Sequence, residues 1–140
     1  MKTSPLLHPA ALLTIALLAC TGGAQAQASR KTAKPAELPP LTESQIATAQ
    51  NVLTGEIDCE GGKKLSLNAI DGKPGYFAMK LGKQSWTLAP QDTTTGAVRL
   101  EDKKAGMVWI QIPAKSMLMN AKKGQREVDN CTAAAQRTTS

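Results

Sequence analysis

Two cysteines bracket the part of the chain that can build a hydrophobic core. Cys59 follows residues 55–58 (GEID), Cys131 follows residues 127–130 (EVDN), and short apolar runs separated by turn residues lie between them. We predict a disulfide that joins the first strand of an all-β domain to the last. In a chain-entropy model, closing a loop of this length removes about 4 kcal/mol of unfolded-state freedom.

The N-terminal sequence is typical of a secretory signal peptide. Lys2 is the only charged residue before Arg30, and residues 10–19 (AALLTIALLA) form an apolar run too short for a permanent membrane span. Two processing routes stay open. The small residues 24–28 (AQAQA) offer ordinary cleavage sites, whereas residues 17–20 (LLAC) resemble a lipobox in which Cys20 would be lipidated. Either route predicts a periplasmic protein, soluble or lipid-anchored to the outer membrane, in a compartment where disulfides persist.

The remaining segments differ sharply in composition. Residues 27–40 (QASRKTAKPAELPP) are polar and proline-rich, and such a composition buries too little apolar surface to fold alone. The chain therefore divides into a signal peptide (1–26, or 1–19 if lipidated), a disordered tether (27–40), a capping helix (41–54), a β-barrel domain (55–131) and a disordered tail (132–140).

A short helix is predicted before the first cysteine. Residues 42–45 (TESQ) fit a capping box, in which the first and last side chains satisfy exposed backbone donors. Ile46, Ala49 and Leu53 then fall on one helical face. We expect a helix over residues 42–53 that covers an edge or an open end of the barrel.

From residue 55 onward the apolar pattern has a period of two. Leu65, Leu67 and Ala69 alternate with polar residues, and similar runs recur at a spacing of about ten residues. The runs cover residues 55–59, 63–70, 75–81, 84–89, 97–102, 106–112, 115–120 and 125–129. Because short turns separate them, neighbours in sequence should pair in space. The pattern predicts an all-β fold: a small eight-stranded antiparallel barrel or sandwich, closed by the disulfide and preceded by one short helix.

Charge and composition exclude several functions. The formal net charge is +6, but residues 41–131 contain 12 Lys and Arg and 10 Asp and Glu, a net of +2. Charges of both signs alternate, and only four aromatic residues are present, so we expect no nucleic acid as a partner. With so few aromatics, Met107, Met117 and Met119 are expected to fill the core.

The residues needed for most enzyme chemistry are missing. The only histidine, His8, leaves with the signal peptide, and pairing of Cys59 with Cys131 leaves no free thiol in the domain. Asp58 and Glu60 lie two residues apart and could form an acid–base pair, but two solvated edge charges are the favoured interpretation. The sequence predicts a protein that is not an enzyme and that uses no cofactor or metal.

These features resemble the family of bacterial membrane-bound and periplasmic inhibitors of C-type lysozyme. The resemblance spans about residues 55–131 and implies a small eight-stranded antiparallel barrel that is secreted or lipidated. It is carried by a first strand with Cys and a Gly turn (residues 57–67, IDCEGGKKLSL), a hairpin (82–88, GKQSWTL), a Ser-Gly-Ala-like loop (95–97, TGA), a Trp strand (107–110, MVWI) and a final Cys131.

The resemblance also implies a binding site. In the family a hydroxyl of the Ser-Gly-Ala loop enters the lysozyme cleft, and a lysine after the Trp strand adds a charge contact. Carried over to this chain, Thr95 would be the inserted hydroxyl and Gly96 the hinge. The lysozyme-binding residues would then be Thr94, Thr95, Gly96, Ala97, Arg99, Gln111 and Lys115.

The chain departs from the family pattern at charged positions. Arg99 stands where the family has Tyr, Gln111 stands where it has Lys, and Lys115 or Lys104 would have to supply the charge. Two partners therefore stay open. The protein could bind C-type lysozyme by inserting residues 93–99, or it could be a non-inhibitory binding or scaffold module for another envelope protein. A membrane contact is expected only through a lipid anchor on Cys20.

Overall fold

A computed structural model describes residues 37–138. These residues form two short α-helices, eight strands and one 3-10 turn. The elements are α1 (Glu43–Ala49), β1 (Gly55–Asp58), a 3-10 turn (Glu60–Gly62), β2 (Lys64–Ala69), β3 (Phe77–Leu81), β4 (Gln84–Gln91), β5 (Val98–Asp102), β6 (Met107–Gln111), β7 (Ser116–Asn120), β8 (Gln125–Cys131) and α2 (Ala134–Arg137).

The strands form one antiparallel sheet in sequence order, β1 to β8. The sheet curls until its two ends meet at a bridge between Asp58 and Thr132, next to a disulfide between Cys59 and Cys131. The result is a nearly closed eight-stranded barrel, which confirms the predicted fold class and disulfide. Short turns account for the simple order, because a strand followed by a tight turn has only its neighbour to pair with.

Strand β4 changes partners along its length. Its first five residues, 84–88, pair with β3, and its last three, 89–91, pair with β5. Beyond the end of the β3 ladder the carbonyl of Pro90 accepts a hydrogen bond from Gln45 Nε2 at 2.7 Å. Helix α1 thus takes the place of β3 beside the end of β4, where a proline without an N–H is tolerated.

The core is built from the inward-facing residues of every strand. The side chains that are almost fully buried include Ile57, Leu65, Leu67, Met79, Leu88, Leu100, Trp109 and Leu118. The alternation along β2 is as predicted for Leu65 and Leu67, but Ala69 is exposed. Of the three methionines expected in the core, only Met107 belongs to it. Met117 and Met119 are half-buried on the outer face of the sheet. The residues of β7 that face inward are Ser116, Leu118 and Asn120.

Helix α1 is shorter than predicted. The capping box is present, with Thr42 N donating to Gln45 Oε1 at 2.9 Å and Gln45 N donating to Thr42 Oγ1 at 3.3 Å. The helix ends at Ala49 rather than Leu53. The backbone leaves the helix there because Leu53 N donates to Gln111 Oε1 at 3.1 Å, which fixes this segment against the barrel.

The segment after β8 is ordered, which corrects the expected disordered tail over its described part. Ala133 is buried, and the amide of Gln136 in α2 donates to Ile112 O at 2.7 Å and to Ser116 Oγ at 3.0 Å. A buried amide with these partners fixes the turn against β6 and β7. Residues 139–140 lie outside the described residues.

The last residues of the expected tether also contact the barrel. The Tyr76 hydroxyl donates to Pro39 O at 2.6 Å, and burial raises the pKa of this hydroxyl. The expected signal peptide, the lipidation site at Cys20 and tether residues 27–36 lie outside the described residues. Within residues 37–138, no helix has the length and apolar character needed to cross a membrane.

Candidate binding site

Alternate connections of the barrel lie at opposite ends, because each strand runs antiparallel to the one before it. The connections at residues 70–76, 92–97 and 112–115 share one end, which we call the loop end. The second of these holds the threonine tract that resembles the family's inhibitory loop. The loop end therefore carries five of the candidate binding residues: Thr94, Thr95, Gly96, Ala97 and Lys115.

The threonine loop is exposed and closed by its own side chains. Thr93 Oγ1 donates to Ala97 O at 2.7 Å, and Ala97 N approaches Thr95 Oγ1 at 3.5 Å. Gly96 adopts a φ of 74°, a left-handed conformation that favours glycine. Thr93, Thr94, Thr95 and Gly96 are all exposed to solvent. The loop is therefore a compact projection whose Thr95 hydroxyl can still donate its proton outward.

A groove of about 280 Å³ runs beside this loop. It is lined by Asn51, Leu53, Gly96, Val98, Gln111, Ile112 and Pro113. Ile112 is 39% exposed and is the only large hydrophobic residue exposed to that degree among residues 37–138. The groove thus combines an apolar wall with a glycine edge.

Gln111 is the buried polar residue of the groove. Its side chain is 4% exposed, and its Oε1 accepts from Leu53 N at 3.1 Å, which assigns the other amide atom as the donor. That donor, Nε2, has no hydrogen-bond partner within the described residues. A buried donor without an acceptor costs on the order of 1–3 kcal/mol. Gln111 therefore lines the groove, but its unpaired Nε2 is itself buried and out of a partner's direct reach.

Two other predicted site residues, Arg99 and Lys115, form ion pairs within the fold. The Arg99 guanidinium pairs with Glu101, with Nε to Oε1 at 2.7 Å, and Arg99 lines a different cavity, formed by β5, β6 and the turns that follow β5 and β7. Lys115 Nζ donates to Asn130 Oδ1 at 2.9 Å and lies 3.5 Å from Asp129 Oδ1. The structure thus brings together Gly96 and Gln111 but not Arg99 or Lys115.

Asp129 explains why Lys115 is held on the flank of the barrel. Its carboxylate accepts from Asn130 N at 2.7 Å and from Arg126 Nη1 at 2.6 Å. The backbone hydrogen bond from Asn130 lowers the pKa of Asp129, and Lys115 and Arg126 act in the same direction against the effect of burial. The ammonium group of Lys115 is therefore paired within the fold, with Asp129 and Asn130.

Asp58 and Glu60 are engaged separately rather than with each other. Asp58 pairs with Lys64 at 2.9 Å and with Arg137 at 3.1 Å, whereas Glu60 Oε2 accepts from Asn130 Nδ2. The hydrogen bond and charge of Lys64 lower the pKa of Asp58, and Arg137 adds to the effect. Among residues 37–138, no three His, Cys, Asp or Glu side chains cluster closely enough to hold a metal ion.

Sequence reasoning missed the apolar half of this site. The pattern places Ile112 in a strand and Leu53 in a helix, so it predicts neither as a surface residue of the loop end. The usable signal was the position of Ile112 directly before residues 113–114 (PA), where an apolar side chain at a turn is hard to bury. The contribution of Leu53 depends on the early end of α1 and carries no local signal.

The fold and groove define a small antiparallel barrel, closed by a disulfide, with an exposed loop end. Comparison with protein-family models finds no matching family, and comparisons with curated proteins and with solved structures find no similar protein. Function therefore has to be inferred from the residues of this chain.

Proposed function

We propose that this protein binds C-type lysozyme and blocks it by placing residues 93–99 in the enzyme's cleft. The observation that carries the proposal is the exposed threonine loop, with Gly96 at the edge of a groove that Gln111 and Ile112 also line. The resemblance in sequence supplies the partner. The eight-stranded fold is the one that the resemblance implies.

The geometry is compatible with insertion into a sugar-binding cleft. The loop is slim at Gly96, where an added Cβ would have no atom within 4 Å, so open space surrounds its tip. A Thr95 hydroxyl that donates to a carboxylate forms a charge-assisted hydrogen bond, which is stronger than a neutral one. The exposed Ile112 adds an apolar contact next to the polar tip.

A second candidate is an envelope binding module that does not inhibit lysozyme. It is favoured by the state of Arg99 and Lys115, whose charges pair with Glu101 and Asp129 instead of extending from the loop end. A partner of this kind would use the groove lined by Leu53, Val98 and Ile112, and it would present an apolar side chain rather than a pair of carboxylates.

Inhibition of cell-wall lysis tests the first candidate. Purified protein should slow lysis by hen-type lysozyme, and Thr95→Arg should abolish the effect by blocking entry of the loop. Ser85→Arg is the matched control, because Ser85 is also an exposed hydroxyl residue but lies on β4 near the opposite end of the barrel. A complete lack of inhibition by the unmodified protein at a large molar excess would remove the proposal.

A pull-down from envelope extract separates the two candidates. Protein immobilised at its C-terminus should recover lysozyme from a spiked extract if the first candidate is correct. Recovery of a native envelope protein that Thr95→Arg or Ile112→Ser releases, in the absence of lysozyme inhibition, supports the second.

A further inference from the structure

The end of the barrel opposite the loop end has an unusual charge distribution. Four connections lie there, at residues 59–63, 82–83, 103–106 and 121–124, and we call this the lysine end. Together they contain six lysines and one carboxylate, a formal net charge of +5. The lysines are Lys63, Lys83, Lys103, Lys104, Lys122 and Lys123.

The loop end provides the comparison. Its connections at residues 70–76, 92–97 and 112–115 contain two lysines and two aspartates, a net charge of zero. The small net charge of residues 41–131 therefore hides a strong difference between the two ends. This polarity follows from the antiparallel order, which places every second turn at the same end.

The positive charge of the lysine end is not neutralised inside the fold. All six lysines are exposed, and none has its ammonium within 4 Å of a carboxylate in the described part of the chain. Lys63 Nζ donates to Glu127 O and Lys122 Nζ donates to Lys104 O, but these are neutral carbonyls.

Two acidic groups at this end accept hydrogen bonds from other residues of the fold. Glu60 accepts from Asn130 Nδ2 at 2.9 Å. Asp102, the last residue of β5, accepts from Ala105 N at 2.8 Å and from Thr87 N at 3.3 Å. These two carboxylates are held by hydrogen bonds of the fold, and none of the six ammonium groups lies within 4 Å of either.

The turns of the lysine end also touch one another. Ala121 N donates to Gly106 O at 2.8 Å, which joins the third turn to the fourth. Lys63, Gly82 and Glu127 line one shallow cavity, which brings the first turn beside the second and beside β8. The lysines thus project from several rigid turns across one end of the barrel, rather than from one cleft or one flexible tail.

We propose that the lysine end docks the barrel on an anionic lipid surface. Positive charges distributed over separate turns suit a plane of phosphate groups, whereas a single small anion would need convergent donors in one cavity. Each lysine near such a surface raises affinity about fivefold, and salt screens the attraction. Docking in this way leaves the threonine loop and the Ile112 groove facing away from the membrane.

Vesicle flotation tests the proposal on the full chain. We use a Cys20→Ser background, so that no acyl chain can contribute, and vesicles of phosphatidylcholine with or without about 30% phosphatidylglycerol. The protein should float with the anionic vesicles at about 50 mM salt and be released at about 500 mM. Failure to float with anionic vesicles, or equal flotation with both kinds, would overturn the proposal.

A matched pair of triple variants locates the contact. Lys83→Gln, Lys103→Gln and Lys123→Gln remove three charges from the lysine end, and none of these ammonium groups has a hydrogen-bond partner within residues 37–138. Arg30→Gln, Lys31→Gln and Lys34→Gln remove three from the tether. The first set should weaken vesicle binding about 100-fold, and the second should weaken it far less.

The remaining outcomes are also decisive. A tether variant that loses as much binding as the lysine-end variant would overturn the proposal. Displacement by inorganic phosphate at constant ionic strength would show a discrete anion site instead of a lipid surface. Tighter binding to isolated peptidoglycan than to anionic vesicles would assign the lysine end to a polymer. Lysozyme inhibition, if present, should be unchanged in the lysine-end variant.

Discussion

Asp58 and Thr132 exchange two backbone hydrogen bonds, with Asp58 N donating to Thr132 O at 3.2 Å and Thr132 N donating to Asp58 O at 2.8 Å. This bridge joins the two ends of the curled sheet, and the Cys59–Cys131 disulfide lies directly beside it. The Arg137–Asp58 ion pair adds a contact on the outside. Covalent, backbone and side-chain contacts thus converge where the barrel closes.

Removal of the disulfide should destabilise the barrel strongly. Cys59→Ala with Cys131→Ala should lower the free energy of unfolding by about 4 kcal/mol, because the 72-residue loop is no longer closed in the unfolded state. Urea unfolding with and without reductant measures the loss. Reductant should lower the stability of the unmodified protein and leave the double variant unchanged. A loss below about 1 kcal/mol would contradict the role given to this bond.

The α2 turn should contribute to stability through the side-chain amide of Gln136. Gln136→Ala should lower the unfolding free energy by about 2 kcal/mol, because Ile112 O and Ser116 Oγ would be left without this buried donor. Gln125→Ala, at an exposed position in β8, is the control and should cost less than about 0.5 kcal/mol. Equal effects of the two substitutions, measured by thermal unfolding, would argue against a structural role for α2.

Stability should fall with acid through Asp129. Because the pKa of Asp129 is lowered in the folded state, its contribution is present above the ordinary carboxyl value of about 3.9 and is lost as pH falls through the lower folded pKa. The unfolded state binds the proton first, so the free energy of unfolding rises with pH in this window. The exposed ion pairs of Asp58 act in the same direction but weakly.

The measurement is urea unfolding at a series of pH values between about 2 and 6. Asp129→Asn should flatten the curve in this range, whereas Asp71→Asn, at an exposed position in the 70–76 connection, is the control and should change the curve much less. An equally steep curve for Asp129→Asn would show that this carboxylate is not the group responsible.

Two glycines with similar backbone angles should respond differently to alanine. Gly96 has a φ of 74° and open space around it, so Gly96→Ala should cost about 1 kcal/mol. Gly75 has a φ of 82°, and an added Cβ would lie 2.6 Å from Leu41 Cδ1 and 2.9 Å from Ile46 Cδ1. Gly75→Ala should therefore cost about 2 to 3 kcal/mol. Equal losses in chemical unfolding would show that Leu41 and Ile46 move aside freely.

Replacement of Gln111 should have little effect on folding. Gln111→Met removes the acceptor of Leu53 N and also the unpaired Nε2, and these two changes oppose each other. The unfolding free energy should therefore change by less than about 1 kcal/mol, and partner binding should be unchanged because Nε2 is buried. Urea unfolding measures the first effect, and calorimetry with lysozyme or the recovered partner measures the second. A clear loss of affinity without a loss of stability would show that a partner does reach this amide.

The strands could be predicted because their signal is local. The alternation at Leu65 and Leu67 and the short turns defined eight strands and their order. The register of β7 could not be predicted, because residues 117–119 are all apolar and show no alternation. Only Leu118 of the three points inward, and the outer face is also partly covered. The order of the α2 turn was missed because its stability comes from Gln136 contacts 20 or more positions upstream.

The candidate site shows the same division. The exposed threonine loop follows from its composition, and its place between two strands follows from the pattern. The separation of Arg99 and Lys115 from the groove was not predictable, because Glu101 and Asp129 compete for these charges once the strands pair. The lysine end could have been predicted from the sequence, since every second turn of an antiparallel sheet in sequence order lies at the same end of the barrel.

The sequence by itself determined the barrel, its disulfide and the turns that carry lysine or threonine, because period-two alternation, paired cysteines and turn residues act over short distances. Only the tertiary structure decided where α1 ends, which charges are paired inside the fold and which polar atom is left unpaired at Gln111. These outcomes depend on which groups meet when distant strands close into a barrel, and no local pattern encodes those distances.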